Sequence, residues 1–81
     1  MADGWFSRPV SVAVGIAGDI HSIENARDAM KLLTGNWREQ SSASYRTAMR
    51  ACQGALRDEV PAEVARQAFI AAAAEARVLA S

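Results

Sequence analysis

The sequence predicts a small α+β domain of one unit, residues 1–81, in which a two-stranded N-terminal β-hairpin is followed by three α-helices, ββααα in order. Three observations carry that reading. Val10, Val12 and Val14 alternate with Ser11 and Ala13, the period-2 signature of a strand with one buried face. Apolar residues then recur at helical spacing, first Ile23, Ala26, Met30 and Leu33, and later Tyr45, Ala48, Met49, Cys52, Ala55 and Leu56. The last third, from Val60 to Leu79, is rich in alanine, apolar on almost every face in its middle, and reads as one long helix.

Trp5, Phe6 and Arg8 lie near the start, and two aromatics this early predict an N-terminus that packs onto the body. Pro9 opens the first strand, where a missing N–H costs the ladder least. Ala17-Gly18-Asp19 signals a turn, and Ile20-His21-Ser22 returns as a second strand, so the hairpin spans about 9–22, with Gly15 and Gly18 serving its bend. A two-stranded hairpin is marginal alone and must be covered by helices or extended by another chain. Its outer edge is therefore a pairing site.

Ser22 is the predicted N-cap of a helix over about 23–34, with Glu24 and Asp28 early, Lys31 late and Gly35 as a left-handed terminator. Trp37 then closes the end of the core. Ser41 or Ser42 caps a second helix over about 43–58. Asp58-Glu59-Val60-Pro61 breaks the chain, and Pro61 and Glu63 suit the first turn of a third helix, about 61–79. Its core arc gathers Val64, Ala65, Ala68, Phe69, Ala72, Ala76 and Leu79. Ile70, flanked by Ala73 and Ala74, projects to the other side among Glu63, Arg66, Gln67 and Arg77, and Glu75 falls at the edge of the core arc.

A single core of this size rarely supplies more than ~3–5 kcal/mol without a disulfide, a metal or a partner subunit. Cys52 is the one cysteine, which excludes an intramolecular disulfide, and no Cys/His cluster offers a structural metal site. Self-association is the remaining route to more buried surface. The expected assembly is a homodimer whose interface includes Ile70, Ala73 and Ala74, the hairpin edge, or both.

Nine basic residues balance nine acidic ones, so no global field argues for nucleic acid or an anionic membrane. The apolar run from Val10 to Gly18 is too short to span a bilayer. It is also poorly framed as a signal peptide, with Asp3 upstream and Asp19 beyond, and a cytoplasmic protein is expected.

A nucleophile needs a base within hydrogen-bond reach. Cys52 lies on an apolar helix stripe, where a small buried hydrophobe is the simpler reading, and His21 is the one imidazole, in a strand. Glu24 with Asp28 and Asp58 with Glu59 read as solvated side chains, and no Gly-rich loop stands between a strand and a helix. These features argue against an enzyme and call for no cofactor. The basic residues are more suggestive. Arg46, Arg50 and Arg57 project within about a 40° sector of the second helix in a row roughly 16 Å long, with Gln53 beside them. Such a row can meet phosphates or an acidic protein partner. Three arginines opposite an apolar stripe are, however, what a solvated helix face normally looks like, and Glu39 and Asp58 flank the row and partly cancel its field. A helix-turn-helix reading for nucleic acid fails because the turn between the late helices is acidic.

The pattern Phe6-x-x-Pro9-Val10-x-Val12, then Ala29, Leu32-Leu33 and Trp37, then Tyr45-x-x-Ala48-x-x-x-Cys52-x-x-Ala55-Leu56 is distinctive when taken together. It closes with Ala65-Arg66-x-Ala68-Phe69-Ile70-x-Ala72-Ala73-x-Glu75-Ala76. Over nearly its whole length the chain resembles a family of small proteins of rhizobial-type alphaproteobacteria, catalogued as domain of unknown function 982. It departs from the family where Pro often follows the tryptophan (Arg38 here), where Gly often follows the Ala-Leu pair (Arg57 here) and where Gly often follows Glu-Ala (Arg77 here). Those departures bear on local turns. The resemblance implies no catalytic or binding residues.

Overall fold

The computed structural model describes residues 4–14, 17–35, 37 and 40–80. Asp3, Gly15, Arg38 and Glu39, used above, lie outside the described residues. The chain runs β1 (Trp5–Val14), β2 (Asp19–Asn25), α1 (Ala26–Thr34), α2 (Ala43–Leu56) and α3 (Ala62–Glu75), which is the predicted ββααα order.

β1 and β2 form an antiparallel pair in which Val10 faces Ile23, Val12 faces His21 and Val14 faces Asp19. The three valines are buried, as their alternation requires. The strand starts earlier than predicted. Trp5 already pairs with Asn25, and the register is interrupted between Trp5 and Val10, the stretch in which Pro9 lacks an N–H. At the hairpin turn Gly18 takes φ +69°, a left-handed conformation that a side chain would disfavour.

β2 is longer and α1 shorter than the sequence suggests. Ile23 is a strand residue paired with Val10, and the helix cap is Asn25 rather than Ser22. The Asn25 side chain accepts a hydrogen bond from the Asp28 N–H at 2.8 Å. Ile23 supports both readings locally, because it continues the alternation of the strand and also the spacing of the helix. Its pairing with Val10 decides the matter. At the other end Gly35 is not left-handed, with φ −100° and ψ −101°, so its predicted role as a left-handed terminator is not the observed one.

α2 is capped by Ser42, whose hydroxyl accepts from the Tyr45 N–H at 3.0 Å. The phenol of Tyr45 donates to the Leu33 carbonyl at 2.8 Å and ties α2 to α1. Ala48, Cys52 and Ala55 are buried on the inner face, with Tyr45, Met49 and Leu56 packed around them. α3 buries Ala65, Phe69, Ala72 and Ala73. Small side chains on both helices let them approach closely around the few large ones, Phe69, Leu33 and Val12. Trp37 is buried with its ring 5.5 Å from that of Phe69, so it is part of the core. Val64 is not part of the core arc and is 46% exposed.

α2 and α3 end in the same way. The Asp58 N–H bonds the Ala55 carbonyl and the Glu59 N–H bonds the Gly54 carbonyl. After α3 the Arg77 N–H bonds the Ala74 carbonyl and the Val78 N–H bonds the Ala73 carbonyl. These are paired Schellman closures, and each needs a left-handed residue, supplied by Asp58 at φ 59° and Arg77 at φ 62°. The third helix therefore stops at Glu75, four residues short of the predicted end at Leu79. Beyond the turn Val78 to Ala80 run back along β1: Leu79 bridges Val12, Ala13 donates to the Val78 carbonyl at 2.7 Å, and Ala80 donates to the Ser11 carbonyl at 2.9 Å.

Candidate functional site

Residues that bear chemistry occur in four places, and the folding of each decides what it can do. Cys52 is fully buried on the inner face of α2, and burial pushes its thiol up to about 12 from an ordinary value of 9.0. A thiol held protonated is a poor nucleophile. His21 stands exposed on β2, so the fold does not bring the two residues together in an open site.

The linkage has a definite sign. A raised thiol pKa in the folded state adds stability below pH 9 that is lost as pH rises from 9 towards 12. Wild type should lose up to about 1.4 kcal/mol per pH unit more steeply over that window than Cys52→Ala. Urea unfolding of the two proteins at several pH values measures the difference, and parallel profiles would show that the thiol is not desolvated.

Arg46, Arg50 and Arg57 are all exposed. Arg57 is the C-cap of α2, one residue beyond Leu56, and its N–H still bonds the Gln53 carbonyl at 3.1 Å, so it remains on the helical path. Asp58 and Glu59 follow it directly and oppose its charge.

The predicted patch on the last helix changes more. Ala73 is completely buried, Ile70 is half-buried against the core, and Ala74 alone is exposed. Ala73 presents no surface to a second chain, because the return turn at Arg77 hydrogen-bonds Val78 to its carbonyl and brings the C-terminal residues against β1. The long-helix reading pointed Ile70 and Ala73 towards solvent, whereas Ile70 packs against the core and Ala73 is part of it. Glu75 reaches solvent. Near the start of α3 the Glu63 carboxylate accepts from Gln67, Ser7 and Arg66, which hold it below the usual carboxylate range, the Gln67 contact most of all.

Two surfaces remain. The first is the outer edge of β2. β1 is flanked by β2 on one side and by Leu79 on the other, whereas β2 has β1 alone as a partner among the described residues. Ile20 on this strand is 64% exposed. The second is an open cleft of about 510 Å³ between the start of β1 and the α2–α3 turn, lined among others by Gly4, Trp5, Asp58, Glu59 and Pro61. Trp5 is 61% exposed. Sequence reasoning treated Asp58 and Glu59 as a helix break and as solvated charges, and nothing in the linear order associates them with Trp5. Among the described residues no three His, Cys, Asp or Glu side chains are arranged to hold a metal ion. No described helix is long and apolar enough to cross a membrane.

Comparison with known proteins agrees with this architecture. A solution NMR structure of the Agrobacterium tumefaciens protein Atu1219 superposes with a TM-score of 0.80 at 26% identity, over 98% of this chain and 78% of that one. No curated protein matches the chain. The family model for proteins of unknown function termed DUF982 matches residues 8–80, and the chain belongs to that family.

Proposed function

We propose that this protein is a non-enzymatic interaction domain that self-associates as a homodimer through the outer edge of β2. The observation that carries the proposal is the edge of a strand seven residues long, unpaired among the described residues, beside a β1 strand already flanked on both sides. A second copy is the occupant that suits this edge. A two-fold axis through Ser22 is the register that pairs the strand with its copy over its full length, from Asp19 to Asn25. It sets Asp19 against Asn25, Ile20 against Glu24 and His21 against Ile23, so no carboxylate faces another. Pairing would also convert a hairpin that is marginal by itself into the middle of a continuous sheet.

Asp19 and Glu24 on the strand are also devices that protect an edge from indiscriminate pairing. They therefore make the register selective, and charge reversal tests it. Light scattering over a range of concentrations should show a dimer for wild type. Ile20→Glu sets a carboxylate against Glu24 of the second copy twice per dimer and should weaken association by about tenfold, from like-charge pairs that each cost up to about 1 kcal/mol. Adding Glu24→Lys should restore it. A wild-type mass equal to the monomer at every concentration would remove the proposal.

A further inference from the structure

The cleft beside Trp5 is a different surface from the β2 edge, and its two walls are set by backbone contacts. On one side Gly4 takes φ +67° and lies so close to α1 that a Cβ there would stand 2.7 Å from the Cβ of Ala26. The Gly4 carbonyl accepts from the Ala26 N–H at 2.9 Å, and Trp5 pairs with Asn25. The backbone of Trp5 is thus pinned on both sides while its indole remains largely in solvent. On the other side Asp58 and Glu59 are held by the closure of α2, through the hydrogen bonds of their N–H groups to Ala55 and Gly54. Among the described residues neither carboxylate has a hydrogen-bond or ion-pair partner.

An exposed indole face attracts cations through its quadrupole, and Asp58 and Glu59, which line the same cleft, add negative charge. The N-terminus of α3 also lies at this cleft, at Pro61 and Ala62, and contributes the opposite sign. Its strength is equivalent to roughly half a charge, part of which Glu63 in the first turn offsets. The sum is negative. The volume, about 510 Å³, lies within the range of small-ligand sites and admits a head group with apolar substituents.

We propose that this cleft binds an organic cation, an ammonium or guanidinium group stacked on Trp5 with its charge directed at Asp58 and Glu59. Two sources share that chemistry, a free quaternary ammonium metabolite and an arginine side chain of a peptide. The test is amide and indole NMR shift titration of the full chain with choline, with an arginine-containing tetrapeptide blocked at both ends, and with 3,3-dimethylbutan-1-ol, the neutral isostere of choline. Saturable shifts at Trp5 and at Asp58 to Ala62 are expected with at least one cation and not with the alcohol. Tighter binding of choline assigns the site to free cations, and tighter binding of the peptide assigns it to protein side chains.

The double variant Asp58→Asn/Glu59→Gln should weaken binding at least tenfold. Asn tolerates the left-handed conformation at position 58, so the turn is preserved. Trp5→Ala should weaken binding to a similar degree without disturbing the core, because the side chain is mostly exposed. Equal shifts with the alcohol, unchanged affinity in the double variant, or no shifts with either cation up to the solubility limit would each overturn the proposal.

Discussion

Phe69→Ala is expected to destabilise the domain by about 3–5 kcal/mol, the range for truncating a fully buried aromatic ring. Phe69 is fully buried and packs against Trp37. Few other large side chains share the interior, since alanines, valines and Cys52 make up most of the rest. Neighbouring alanines are too short to collapse into the space, which places the cost towards the upper part of that range. A core in this size class supplies ~3–5 kcal/mol in total, so the variant should be largely unfolded at room temperature. Circular dichroism during urea titration measures this directly. Phe69→Leu, which keeps most of the volume, should fold with a lower midpoint. An unfolding midpoint for Phe69→Ala equal to that of wild type would show that α3 does not anchor the core.

Arg77→Gly is expected to act in the opposite direction. Arg77 holds φ 62° with its side chain exposed, so the left-handed strain is not balanced by burial. An L-residue in that conformation is destabilised by roughly 1–2 kcal/mol, and glycine removes the clash. The greater freedom of glycine in the unfolded chain offsets part of the gain. A net stabilisation of about 1 kcal/mol should raise the melting temperature by about 4–8 °C in a domain of this size. Asp58→Gly should gain less, because aspartate tolerates φ 59° better than arginine does. A melting temperature that falls in Arg77→Gly would mean that the return turn is held by the arginine side chain.

The same turn explains where the sequence misleads. From Ala62 to Leu79 the local signals favour helix, and no glycine or proline marks an end before Leu79. The one available hint lay in the family comparison, where glycine often stands at the position of Arg77. Once α3 closes at Glu75, Val78 becomes a buried residue against β1 and Ala73 becomes core. The interface drawn on Ile70, Ala73 and Ala74 therefore loses Ala73, while the hairpin edge remains open. Asn25 makes a similar point on a smaller scale. Ser22 and Asn25 are both good caps, and only the pairing of Ile23 with Val10 selects between them.

Taken by itself, the sequence determined the element order, the buried valine face of β1, a serine cap at 41 or 42 and the inner stripe of α2. Each of these depends on spacing along a single element or on one cap residue next to it. Only the tertiary structure decided where α3 stops, which strand edge stays open and which residues meet at the Trp5 cleft. Those outcomes depend on contacts between residues distant in sequence, such as Leu79 with Val12 and Gly4 with Ala26, and no local periodicity encodes them.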